Sequence, residues 1–254
     1  MCKFDLLCGY CLYRRDFQRK DMLMNKNKKL LNTLIAELSL YADAQRAKDQ
    51  QRYMKSKMPY LGVSMPEAKK VFKSVFKAFV PKDNAEYRER LLYFFTNAQY
   101  RELWYAGSIY ASTYKNFIVE ENIDLYIQVI RIAGWWDIVD HIAPNLIGKA
   151  LQGSSSFAVY LRRWIRDEDL WVRRTALIAQ LRYKEKTDFQ LLASLIVQVA
   201  HEKDFFIRKA IGWALRAYSY VNPEAVKMFI VKNENILSGL SIREGLKVIN
   251  KKSM

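Results

Sequence analysis

Two adjacent indoles followed by two carboxylates, Trp135-Trp136-Asp137-Ile138-Val139-Asp140, are the residues of this chain best suited to chemistry. On a helix Trp136 and Asp140 stand four residues apart and share a face, while Asp137 lies about 100° round from Trp136. One face then carries an aromatic wall and an anionic point together. Such a pair suits a substrate that becomes cationic as it reacts, because the indole face carries negative quadrupole density and the carboxylate adds a full charge. The hexapeptide also has a plainer reading, in which Trp135 and Trp136 are core and Asp140 pairs with a nearby Lys or Arg. Further on, Trp213 and Arg216 are three residues apart and share a helical face in the same way. Trp213 as a core residue packing its own helix is the alternative there.

Charge says what such a site would meet. Lys and Arg number 42 against 26 Asp and Glu, a formal net charge of +16 on 254 residues. That is more than solubility asks, and it points to a polyanion. Nucleic acid comes first, because phosphates release counterions on contact with Lys and Arg. An anionic membrane surface or an acidic protein would answer the same charge. No run of about 18 apolar residues suggests a transmembrane helix. The first 24 residues are interrupted by Asp5, Arg14, Arg15 and Asp16 and do not read as a signal peptide, so a cytoplasmic, nucleoid-associated protein is expected. Cys8-Gly-Tyr-Cys11, with Cys2, is a lone CxxC that neither His141 nor His201 is spaced to complete. Reduced, incidental thiols are expected there, with no metal site and no cofactor, and both histidines are expected to be structural.

The elements that must position these residues read as helices throughout. Leu30, Leu31, Leu34, Ile35 and Leu38 open the first convincing one, and residues 1–23 are expected to be a flexible extension. A Pro and Gly turn at Pro59–Gly62 is followed by a helix restarting at Met65-Pro66-Glu67, with Lys69, Lys70, Lys73 and Lys77 outward. Tyr87 to Ser112 keeps helical spacing. Ala143-Pro144-Asn145 interrupts, and Gln152–Ser156 is a loop whose serines are fit to cap the next helix. Asn222-Pro223-Glu224 and Leu240–Glu244 read as further helix starts.

Trp171–Tyr183 aligns without gaps on Phe206–Tyr218, 35 residues later, and Trp136 lies 35 residues before Trp171. That period, with helix-turn-helix content and no β alternation, predicts an all-α solenoid of HEAT-like repeats in a single domain, residues 24–254. The concave surface of such an array would be a groove, and Arg173, Arg174, Arg182, Arg208, Lys209 and Arg216 would form a basic strip on it. A merely solvated face is the alternative.

Taken together, Tyr53-Met54-Lys55, Pro59-Tyr60-Leu61-Gly62-Val63, Trp135–Asp140, Arg174-Thr175-Ala176-Leu177 and Phe205–Arg216 resemble the AlkD-type DNA alkylation-repair glycosylases, over about residues 30 to 250. The resemblance implies HEAT-like repeats around a concave DNA-binding groove, and release of positively charged N3- and N7-alkylated purines from duplex DNA without a cofactor. It places the family's catalytic aspartate on Asp140 and its two cleft tryptophans on Trp136 and Trp213. DNA contacts fall on Tyr53, Arg174, Arg182 and Arg216. The chain departs from the family pattern at Ser64, where a longer polar residue is expected. Relatives that bind duplex or branched DNA without excising a base supply the competing expectation, and a protein-interaction scaffold is a third. A monomer with no obligate protein partner is expected.

Overall fold

The computed structural model describes the backbone of residues 5–252 and the side chains of residue 19 and residues 21–250. The side chains of Cys2, Cys8 and Cys11 lie outside the described residues. Among those residues every regular element is helical, as the 35-residue period predicts. No helix among them is long and apolar enough to cross a membrane. The chain forms two compact units, residues 1–114 and 115–254.

The first unit holds α1 (Asp5–Ser39), α2 (Ala44–Met54), α3 (Met65–Phe76), α4 (Asn84–Asn97) and α5 (Arg101–Thr113). Helix α1 runs through residue 24 without a break and buries Leu23, Leu30, Leu31, Leu34 and Leu38. Asp43 caps α2 by accepting from the Arg46 N–H, and Lys55, at φ 50°, ends it in a left-handed turn. Ser64 opens α3 as a full capping box with Glu67, with Pro66 in the first turn, so its short side chain serves the helix start. The spacing between Tyr87 and Ser112 covers two helices, because α4 ends at Asn97 and α5 begins at Arg101. The break is made at long range: the Arg101 N–H bonds to the Pro59 carbonyl, and buried Glu102 accepts from the Leu61, Gly62 and Val63 N–H groups. Gly62 is required in that turn. Its φ is +82°, and a Cβ would lie 2.0 Å from the Asp43 carbonyl oxygen. Arg90, fully buried, pairs with Glu86 and donates to Asn27, Tyr110 and the Phe79 carbonyl, which ties α1, α4 and α5 together.

The second unit contains α6 (Ile123–Ala133), α7 (Trp136–Ile142), a π-helical turn (Ala143–Ile147), α8 (Gly148–Leu151), α9 (Phe157–Trp164), α10 (Leu170–Ile178), α11 (Phe189–Val199), α12 (Phe205–Ser219), α13 (Pro223–Lys232) and α14 (Gly239–Lys252). The repeat is visible in its caps. Asp169 accepts from the Trp171 N–H at the start of α10, and Asp204 accepts from the Phe206 N–H at the start of α12, each at 2.7 Å. Helix α10 packs against α7 on one side and α12 on the other, and α12 packs against α14.

Local expectations differ at three places. Ala143-Pro144-Asn145 carries the helix on as a π turn, with the Asn145 amide donating to the His141 carbonyl. Ser156 makes no side-chain cap to α9; Ser154 instead accepts from the Ser156 N–H and donates to Glu120. The last helix is opened by Ser238, which accepts from the Ser241 N–H, so Ser241 lies inside it. Gly148 then lets the chain after α7 press against the end of α10, because a Cβ there would sit 2.2 Å from the Ala179 carbonyl oxygen. Tyr183 donates to the Gly148 carbonyl at 2.6 Å and fixes the same contact.

Candidate active site

Helix α6 stops at Gly134, whose φ of 51° turns the chain, and Trp135 follows in an extended conformation as the residue before α7. Trp136 is therefore the first residue of α7 and Asp140 sits one turn later on the same face, while Ile138, Val139 and Ile142 take the buried face. The Asp140 carboxylate is held at both oxygens. Arg174 Nε donates to Oδ1 and Nη2 to Oδ2, each at 2.8 Å, the forked geometry in which arginine meets a carboxylate most strongly. The third direction of the guanidinium is filled by the Phe206 carbonyl, at 2.5 Å from Nη1. One side chain of α10 thus joins α7 to α12.

The pair is largely out of water, with 5% of the Arg174 side chain and 17% of the Asp140 side chain exposed. Burial pushes the Asp140 carboxyl above the ordinary aspartate value, the Arg174 guanidinium works against that, and neighbouring Asp137 adds to the rise. The partners also share a place in the repeat. Asp140, Arg174, Lys209 and Glu244 follow one another at spacings of 34, 35 and 35, and the outer steps are ion pairs between packed helices: Asp140 on α7 to Arg174 on α10, and Lys209 on α12 to Glu244 on α14 at 2.9 Å.

Trp135, just before α7, packs among other aromatic rings. Its ring lies 5.7 Å from Trp171 and 5.5 Å from Phe206, and those two rings are 4.9 Å apart. The trio fixes Phe206, whose carbonyl receives Arg174. Two of the three parts of the plainer sequence reading therefore hold: Trp135 is a packing residue and Asp140 does pair with an arginine.

On α12, Trp213 is partly exposed and one turn from Arg216. Arg216 Nη1 bonds to Glu244 Oε2 at 2.5 Å, while Lys209 takes the other oxygen. Lys209 first, then Arg216, holds the Glu244 carboxyl below the ordinary glutamate range. Gly212, just before Trp213, is where α14 crosses: a Cβ would lie 2.5 Å from Glu244 Cβ and 3.0 Å from the Ser241 carbonyl oxygen.

A model of the DNA alkylation repair enzymes matches residues 34–249. The chain belongs to the DNA alkylation repair enzyme family. A solved structure of a predicted DNA alkylation repair enzyme from Enterococcus faecalis is 29% identical, with a TM-score of 0.73 over 81% of this chain and 95% of that one. The alkylpurine DNA glycosylase AlkC of Pseudomonas fluorescens, solved on DNA containing an abasic site analogue, is 15% identical with a TM-score of 0.44, over 89% of this chain and 63% of that one. No curated protein matches the chain.

For a DNA alkylation repair enzyme, the residues named from the sequence divide into three groups. Asp140 and Arg174 are directly bonded, and Trp136 shares the face of Asp140. Trp213 and Arg216 stand on α12, whose first turn supplies the carbonyl that Arg174 meets. Arg182 is exposed beyond α10, and Tyr53, in the first unit, is 76% exposed. Sequence reasoning missed the parts played by Phe206, Trp171, Lys209 and Glu244. The near-constant 34- to 35-residue step between charged positions is the signal that could have found two of them.

Proposed function

We propose that the protein is a monofunctional DNA glycosylase that hydrolyses the N-glycosidic bond of positively charged N3- and N7-alkylated purines, such as 3-methyladenine and 7-methylguanine, in duplex DNA. The observation that carries this reading is a carboxylate held by both oxygens on the helix face of Trp136, in a member of a DNA repair family. Alkylation at N3 or N7 makes the purine a cation. When the glycosidic bond breaks, its electron pair leaves with a neutral base and the positive charge passes to the deoxyribose. Asp140, ionised, stabilises that oxocarbenium-like sugar and orients the water that adds to C1′. Trp136 and Trp213 pack against the sugar and add cation–π attraction. Arg174, expected from the resemblance to contact DNA, holds the carboxylate in place instead, because its guanidinium is spent on Asp140 and the Phe206 carbonyl, while Tyr53, Arg182 and Arg216 contact DNA.

Treatment of methylated duplex DNA with the protein tests the reading. Free 3-methyladenine and 7-methylguanine should appear above the spontaneous rate, leaving strands that break only on alkaline treatment. Release at the spontaneous rate would remove the assignment. One observation favours a second reading, a non-catalytic binder of duplex or branched DNA: a buried Arg–Asp fork is also what a purely structural ion pair between repeats looks like.

A further inference from the structure

We propose that the first unit carries a track of its own for the sugar-phosphate backbone of DNA, in the groove between α3 and α5, with Lys69, Lys73 and Lys77 as its phosphate contacts. The proposal rests on the DNA reading above for its ligand. The groove encloses about 300 Å³, and its floor is apolar, made by Phe76, Val80 and Ile109 with the ring of Tyr114. Along one wall the three lysines recur every four residues, Lys69 and Lys73 on α3 and Lys77 as the residue that caps its end, and all three are exposed. At 1.5 Å per residue they climb the helix in steps of about 6 Å, about 12 Å in all. One strand of duplex DNA presents a phosphate every ~3.4 Å of axis, so the row spans about three to four phosphate intervals, long enough for three separate phosphate contacts.

Two observations separate this wall from an ordinary solvated face. None of the three ammonium groups has a carboxylate partner among the described residues, whereas Lys70 on the same helix lies in the field of Glu67. The groove hydroxyls are also already committed: Thr113 donates to the Ile109 carbonyl at 2.8 Å and Tyr114 to the Phe76 carbonyl at 2.7 Å. A ligand here meets free positive charge and a hydrocarbon floor, with no hydroxyl proton left to read a base edge. That chemistry fits phosphates and the apolar face of deoxyribose, and it positions DNA without reading its sequence.

The test is the salt dependence of binding to undamaged duplex DNA, compared between wild type, a Lys69→Gln/Lys73→Gln/Lys77→Gln triple variant and the corresponding triple Lys→Arg variant. Three lost phosphate contacts should flatten the slope of log K against log salt by about 2.7. Between about 50 and 200 mM salt the Gln variant should therefore lose roughly 40-fold less affinity than wild type, equally on two unrelated sequences. The Arg variant should keep the wild-type slope, and all three proteins should melt alike. An unchanged slope in the Gln variant overturns the proposal, as does a change confined to one sequence. Loss of binding to anionic lipid vesicles with an unchanged DNA slope overturns it in favour of a membrane surface. Because undamaged DNA requires no chemistry, absent base release beside a flattened slope would sink only the glycosylase reading, and normal release beside an unchanged slope would sink only this one.

Discussion

Replacing Arg174 by methionine fills most of the arginine's volume but removes three hydrogen bonds: two to Asp140 and one to the Phe206 carbonyl. With 5% of the Arg174 side chain and 17% of the Asp140 side chain exposed, water cannot replace those bonds fully. Breaking a buried pair by removing one partner costs about 3–5 kcal/mol. At roughly 2–4 °C per kcal/mol for a chain of this size, the melting temperature should fall by about 10 °C. Asp140→Asn should cost less, since its amide oxygen still accepts from the guanidinium. The double variant should recover part of the loss, with a coupling of about 2–3 kcal/mol.

The kinetic consequence has a definite sign. Asp140 must be ionised to stabilise a cationic sugar, and burial already places its carboxyl above the ordinary aspartate value. Activity should therefore fail as pH drops through that raised value. In Arg174→Met the opposing guanidinium is gone, so the acid limb should move to still higher pH. Thermal denaturation of the four proteins, with single-turnover base release across pH for wild type and Arg174→Met, checks both halves. Additive losses below about 0.5 kcal/mol each would show that the pair is not closed in solution, and an unmoved acid limb would refute the link between Arg174 and the Asp140 charge.

Trp136→Ala and Trp213→Ala should each slow base release by about 2- to 30-fold, the worth of one cation–π contact, while binding to undamaged duplex changes less; equal losses in both measurements would mark the indoles as packing residues. Gly212→Ala should lower stability by about 1–3 kcal/mol, since its methyl group meets Glu244 Cβ at 2.5 Å. An unchanged melting temperature would mean that α14 moves aside freely.

The repeats were legible because Trp171–Tyr183 aligns without gaps on Phe206–Tyr218; the structure adds that Asp169 and Asp204, also 35 residues apart, make the same bond to the second residue of their helices. Trp136 and Asp140 were legible as a pair because one helical turn separates them. The break between α4 and α5 was not, since Asn97-Ala98-Gln99-Tyr100 contains neither Gly nor Pro and the bonds that make it reach back about 40 residues to the Pro59–Val63 turn. The partner of Asp140 is equally remote in sequence. Local spacing names the faces of a helix, and only the packing of α7, α10 and α12 brings a guanidinium from one onto the carboxylate of another.

The most direct test of the account is single-turnover release of 7-methylguanine from duplex DNA by wild type beside Asp140→Asn, with binding to the same duplex measured in parallel. A preorganised charge of this kind is worth about 10²–10³ in rate. The account predicts a loss of that size in the variant, with binding retained. Release by Asp140→Asn at the wild-type rate would contradict it.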